Sequence, residues 1–160
     1  MKDFRIGSGY DVHALGDGLR LVLGGVEIPH DKGCIAHSDG DVLIHALCDA
    51  LLGSVSAGDI GLHFPDSDER YRGADSCLLL GEVCRMVRER GYEIGNADCT
   101  IAMQRPKLRP YIDMMRERLA SVMSVGPERV SVKATTTERL GFEGEERGVS
   151  ATAVVLVYRE

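Results

Sequence analysis

The chain has no apolar run long enough to cross a bilayer: the longest, Ala153 to Tyr158, falls far short of the ~20 residues that a spanning helix needs. It has no C-x-x-C pair. Its five cysteines, Cys34, Cys48, Cys77, Cys84 and Cys99, are scattered and odd in number, which argues against a disulfide framework and reads as reduced thiols. Positive charge is in deficit. A formal net charge of -6 argues against a nucleic-acid surface, because such binding is driven by clustered Lys and Arg displacing counterions from phosphates. A phosphorylated metabolite stays compatible with that charge if metal cations offset the repulsion locally. There is no H-E-x-x-H helix of the zinc-hydrolase kind, no internal repeat, no low-complexity tract and no linker. The start, Met1-Lys2-Asp3-Phe4-Arg5, lacks the apolar stretch of a signal peptide. The expectation is a cytoplasmic enzyme with neither a membrane nor a nucleic acid as partner.

With 160 residues, 44% hydrophobic and 28% charged, the chain suits one domain around a single core. Phe4 to Tyr10 alternates and leads into Asp11-Val12-His13 as a strand. Leu19 to Leu23 and Val26 to Ile28, hinged on Gly24-Gly25, predict a hairpin, since paired glycines permit the positive backbone angles of a tight turn. Ser38 or Asp39 can cap a helix that runs to Leu52 and stops at Gly53. On it Asp41, His45 and Asp49 fall four apart, in one polar stripe. Gly53 to Gly73 reads as a functional loop. A helix from Asp75 to Arg90 turns Leu78, Leu79, Val83, Met86 and Val87 inward, and a strand runs from Ile94 to Met103. A helix from Pro110 to Val125 follows, then strands at Val130 to Thr137 and Val149 to Arg159. This order predicts an α+β fold, a mixed sheet with helices packed on one face.

Asp11 and His13, two apart on a strand, project from one face and can share an ion, which His45 would complete. Three ligands without a thiolate leave a tetrahedral position open for a substrate oxygen, the pattern of catalytic zinc. Asp41 and Asp49 are the carboxylates expected to orient the imidazole. Lys133-Ala134-Thr135-Thr136-Thr137-Glu138 reads either as good strand formers or as a phosphate clamp, with Glu138 holding a hard divalent cation. Pro106-Lys107-Leu108-Arg109-Pro110 is a prolyl turn into a helix or a rigid loop that grips a base. Asp59-Ile60-Gly61 and Phe64-Pro65-Asp66-Ser67-Asp68 bind sugar hydroxyls or are turn residues.

Taken together these segments resemble the 2-C-methyl-D-erythritol 2,4-cyclodiphosphate synthase family. The resemblance runs from Arg5 to Tyr158. It rests on Gly9 to His13, Ala36-His37-Ser38-Asp39-Gly40-Asp41 through Gly53, Gly58 to Gly61, Phe64 to Asp66, and Lys133 to Glu138 followed by Gly141-Phe142. It implies an enzyme, a phosphorus-oxygen lyase, that cyclises a cytidine diphosphate derivative of methylerythritol 2-phosphate and expels CMP in non-mevalonate isoprenoid biosynthesis. It implies zinc on Asp11, His13 and His45, and magnesium or manganese at Glu138. His37 and Thr136 match the residues credited with transition-state stabilisation. His37 and Ser38 match positions beside the erythritol and its phosphate, Asp59, Ile60, Gly61, Phe64, Pro65, Asp66, Ser67 and Asp68 match the rest of that pocket, and Asp11, Val12 and His13 are among the substrate-binding positions. The cytidine loop matches Met103, Gln104, Arg105, Pro106, Lys107, Leu108 and Arg109. Lys133, Thr135, Thr136, Thr137 and Glu138 match the diphosphate contacts, with Phe142 alongside. The family is similarly a homotrimer with active sites between subunits.

One departure is informative. Where many bacterial members carry Arg and then Glu beyond Phe142, this chain has Glu145 and Arg147, which predicts weak binding of a prenyl diphosphate on a trimer axis. Two histidines and a carboxylate also suit a non-haem iron oxygenase, and the Met103 to Arg109 loop suits a non-catalytic nucleotide sensor.

Overall fold

Strand β1 (Asp3–Asp17) has two unlike faces. Its odd positions carry Gly7, Gly9, Asp11 and His13, and its even positions carry Phe4, Ile6, Tyr10 and Val12, which stand exposed. Period-two geometry separates the two sets. In this computed structural model residues 3–160 are described; Met1 and Lys2, part of the charged start, lie outside the described residues. β1 pairs antiparallel with β7 (Gly148–Arg159) from Asp3 opposite Arg159 to Ala14 opposite Gly148. Beyond β7 lie β5 (Glu93–Ala102), antiparallel to it, and then β6 (Val130–Thr135), parallel to β5. β4 (Lys32–Cys34) closes the other edge beside Leu15 to Asp17, and β2 (Leu21–Leu23) and β3 (Val26–Ile28) form a separate hairpin.

Helix α1 (Val42–Ser54) lies on β1 and β7, and Gly7 and Gly9 of β1 leave it room to approach. A Cβ on Gly7 would stand 1.8 Å from the Ala50 carbonyl oxygen, and one on Gly9 would stand 1.9 Å from that of Ala46. Small residues on both elements bring backbone almost against backbone, which sets His45 beside Asp11 and His13. Helix α2 (Ile60–His63) follows α1, and α3 (Ser76–Glu89) packs on it. α4 (Ile112–Met123) covers β6, and α5 (Gly141–Gly144) leads into β7. The core lies between helices and sheet, where Val149, Ala151, Ala153, Val155 and Val157 of β7 meet Leu43, Ala46, Leu47, Ala50 and Leu51 of α1. The mixed sheet with helices on one face is as expected.

Several details differ from the sequence expectation. α1 begins at Val42, and its cap is Asp41, whose carboxylate accepts from the Ile44 amide at 3.1 Å. The same carboxylate accepts from Gly24 at 2.9 Å and Gly25 at 2.6 Å. Asp41 is therefore fully buried as a clamp between hairpin turn and helix, not part of a polar stripe. α1 ends at Ser54 and not at Gly53, whose backbone stays helical. The expected Gly53 to Gly73 loop contains α2 and a 3-10 turn, Glu69–Tyr71. Leu78 is 72% exposed, because Cys77, Leu80 and Cys84 take the inward positions of α3. β6 ends at Thr135, which leaves Thr136 and Thr137 outside the strand, ahead of the turn at Glu138 and Arg139.

Asp41→Asn should destabilise the fold by about 1–3 kcal/mol, since the amide group that replaces one oxygen faces a backbone N–H and leaves it unpaired. A thermal melt several degrees below wild type is the expected reading.

Candidate metal centre and two cavities

Asp11 Oδ2, His13 Nε2 and His45 Nδ1 form a near-equilateral triangle: 3.0 Å from Asp11 to His13, 3.1 Å from Asp11 to His45 and 3.1 Å between the nitrogens. Ligand atoms bound at 2.0–2.1 Å to one tetrahedral zinc stand about 3.3 Å apart, so the triad fits such an ion with little adjustment. A carboxylate and two imidazoles are also the donor set that a borderline dication accepts.

The electrostatics agree. Burial works to raise the Asp11 carboxyl, but hydrogen bonds and charge from His13 and His45 outweigh it and hold the group well below the usual carboxylate range. Burial works to lower the His45 imidazole, yet the hydrogen bond and charge of Asp11, with Asp41 and Asp39 adding, hold it above the ordinary histidine value. A raised imidazole stabilises the metal-free fold at low pH, and that contribution is lost as pH rises through the raised value. A dication needs the deprotonated ring, so its affinity should move in the opposite sense. Metal titrations by calorimetry should show affinity falling as pH drops through and somewhat above the ordinary histidine range, with proton release on binding.

The oxygens that face His45 Nε2 are hydroxyls, Ser76 Oγ at 3.0 Å and Ser38 Oγ at 3.2 Å. Ser76 in turn donates to Asp39. The expectation that Asp41 and Asp49 orient the ring is thus overturned. Asp41 is occupied by three backbone amides, and Asp49 accepts from the Ile60 amide at 2.7 Å. Ser76 lies 31 residues from His45, and nothing in the local pattern marks it.

The triad opens into a cavity of about 440 Å³ that is also lined by His37, Ser38, Ile60, Gly61, Phe64, Pro65 and Asp66. His37 Nε2 is buried there without a hydrogen-bond partner, a polar atom left for a ligand. Val12 points to the opposite sheet face, so only its backbone adjoins the triad. Asp59 caps α2 through the Leu62 amide at 2.9 Å, and Asp68 is held by Arg70 Nε at 2.9 Å; with Ser67 they frame the cavity without lining it.

The second group of sequence-marked residues gathers elsewhere. Met103, Gln104, Pro106, Lys107, Leu108, Arg109, Lys133, Thr135 and Thr136 line a separate, more apolar cavity of about 400 Å³ at the ends of β5 and β6. Lys133 Nζ is 2.6 Å from both oxygens of Asp98, and Arg105 turns away to Glu146. Thr136 Oγ1 donates to Glu138 at 3.0 Å, and Thr137 Oγ1 donates to the Leu140 carbonyl at 2.6 Å. Glu138 and Arg139 hold left-handed backbone, with φ of 54° and 65°. Such strain costs of order 1–3 kcal/mol per residue and gathers at ligand sites. Phe142, on α5, packs against Gly148 outside both cavities.

Fold and site define a class: single-domain α+β proteins that gather a two-histidine, one-carboxylate group at the mouth of a polar cavity, with a second cavity elsewhere on the same sheet. The model of the YgbB family matches residues 4–158, and the chain belongs to that family. It is 60% identical, over 97% of its length and 98% of the relative's, to the 2-C-methyl-D-erythritol 2,4-cyclodiphosphate synthase of Desulfitobacterium hafniense. Among solved structures it is similar to the bifunctional IspDF of Campylobacter jejuni, with TM-score 0.96 and 40% identity, covering all of this chain and 43% of that one. It is also similar to a CDP-bound form of 2C-methyl-D-erythritol-2,4-cyclodiphosphate synthase, with TM-score 0.89 and 42% identity over 96% of this chain and 99% of that one.

Proposed function

We propose that the chain is a 2-C-methyl-D-erythritol 2,4-cyclodiphosphate synthase, a phosphorus-oxygen lyase of non-mevalonate isoprenoid precursor biosynthesis acting in the cytoplasm. Its substrate is 4-diphosphocytidyl-2-C-methyl-D-erythritol 2-phosphate. An oxygen of the 2-phosphate bonds to the β-phosphorus, the bond from that phosphorus to the bridging oxygen breaks, and CMP leaves with the electron pair. The observation that carries this reading is the convergence of Asp11, His13 and His45 on one point, in a chain so similar to relatives of that name. Among the described residues no helix is long and apolar enough to cross a membrane.

The attacking phosphate is already anionic at neutral pH, so no general base is required. The task is to bring two anions together and align them with the leaving group. Asp11, His13 and His45 would hold zinc, and Glu138 magnesium or manganese, which supply Lewis-acid charge neutralisation at the phosphate oxygens. His37, with its unpartnered Nε2, and Thr136 are the donors assigned to the transition state. Ser38 and the Ile60 to Asp66 segment hold the erythritol phosphate. The Met103 to Arg109 loop holds cytidine, and Lys133 and Thr135 to Glu138 take the diphosphate.

These groups line two cavities in one chain, which supports a homotrimer whose subunits each supply one side of a shared site. The uncovered sheet face, with Phe4 58% and Ile6 70% exposed, supports burial against sister subunits. Arg147 Nε donates to Glu145 at 2.7 Å, so the cation that would attract a prenyl diphosphate is already engaged. Calorimetry with geranyl diphosphate should show no micromolar binding.

The test of the activity is CMP release from the cytidylyl substrate with magnesium, with and without a chelator. Release that stops on chelation and returns with zinc and magnesium is expected; no release from metal-replete protein would end this reading.

A further inference from the structure

We propose that Asp49 is a positioning residue that hangs the Ile60 to Asp66 wall of the metal-side cavity from α1, the helix that carries His45. The inference deepens the synthase reading above, and its kinetic consequence rests on that reading.

His45 and Asp49 are one turn apart on α1 and share a face of it. His45 reaches the triad, while Asp49 Oδ1 accepts from the Ile60 amide at 2.7 Å. A carboxylate that accepts from a backbone N–H belongs to the stronger class of hydrogen bonds. Its weight here comes from how little else holds the wall. No residue from 58 to 75 is buried. Ile60 and Phe64 rest half-buried against the core, and the other contacts are local. Asp59 caps the Leu62 amide at 2.9 Å, the Phe64 amide donates to the Ile60 carbonyl at 2.8 Å, and His63 Nε2 donates to the Ala57 carbonyl at 2.7 Å. Phe64 meets Tyr71 edge to face at 5.3 Å. Only at Gly73 and Ala74 does the backbone bond again to the loop of His37 and Asp39. Among the described residues, the Asp49 carboxylate makes the one hydrogen bond that ties residues 59–72 to the fold outside 57–74.

Ile60, Gly61, Phe64, Pro65 and Asp66 line the same cavity as the triad. One helix thus fixes both the cation ligand and the wall beside it, so their spacing is set by α1 and not by the lightly held segment. Removing the anchor frees the wall and leaves the triad intact, which weakens substrate binding without removing the metal.

Asp49→Ala and Asp49→Asn separate anchoring from charge, because the Asn side-chain oxygen still accepts from Ile60 while the negative charge is gone. In the CMP-release assay Asp49→Ala should raise KM by about tenfold, with kcat and zinc affinity by chelator competition close to wild type. Asp49→Asn should keep the wild-type KM. A wild-type KM in Asp49→Ala, loss of zinc from it, or a raised KM in Asp49→Asn overturns the inference. Amide hydrogen exchange followed by NMR reads the anchor without any activity. The Ile60 amide should be protected in wild type and in Asp49→Asn, and should exchange about tenfold faster or more in Asp49→Ala. An unprotected Ile60 amide in wild type sinks the proposal even where Asp49→Ala fails to fold. Wild type that releases no CMP ends the synthase reading instead, and the exchange data still decide whether Asp49 holds the wall.

Discussion

Gly9→Ala should lower the melting temperature by about 6–12 °C and weaken metal binding at the same time. The added methyl would stand 1.9 Å from the Ala46 carbonyl oxygen, a backbone atom that no rotamer change can move aside. α1 must then lift from β1. Overpacking of this kind costs about 3 kcal/mol at the upper end of its usual range, and a protein of this size loses about 2–4 °C per kcal/mol. Because His45 rides on α1 one residue before Ala46, the same displacement pulls Nδ1 away from Asp11 and His13. Gly53→Ala is the control. It sits in the same helix with open space around it, and the substitution should raise stability by about 0.5–1 kcal/mol. Calorimetric melts and zinc competition on the two variants check both claims, and a Gly9→Ala protein that melts with wild type would show that helix and strand are not pressed together as described.

His45→Ala should abolish tight zinc binding and reduce CMP release by about a thousandfold or more, with the fold retained. The triad would keep Asp11 and His13, two ligands from one strand. Lewis-acid stabilisation is worth several kcal/mol, and each 1.36 kcal/mol is tenfold in rate. Elemental analysis and a CMP-release assay on the same preparation decide the matter. A variant that is zinc-free and fully active would remove the metal from the proposed chemistry; one that keeps zinc would remove His45 from the ligand set.

Much of the fold was legible because its signals are local. The alternation of β1, the paired glycines of the hairpin, and the breaks at Gly91 and before Val130 each act within a few residues. The metal triad was legible for a mixed reason: Asp11 and His13 share a face by strand periodicity, while His45 was joined to them on residue type as the missing third ligand, a link that spacing alone does not fix and that the resemblance to a family strengthened. What escaped depends on distant partners. Asp41 sits on a helical pattern with His45 and reads as a neighbour, yet a cap residue turns its side chain back along the helix start, and here the Gly24-Gly25 amides were waiting for it. Ser76 and Asp39 are 37 residues apart and meet only because α3 folds back over α1. Leu78 looked inward by periodicity, although α3 is buried along a narrower stripe than its apolar content suggests.

The two-sided character of β1 leaves it no freedom of phase. One residue inserted between Gly9 and Asp11 would rotate every later side chain by half a turn: both ligands would swing to the side now occupied by Tyr10 and Val12, and those bulky groups would be driven under α1. The strand therefore tolerates exchange of its outward residues far more readily than any change in length, and a reading frame two residues long is written into the protein's chemistry.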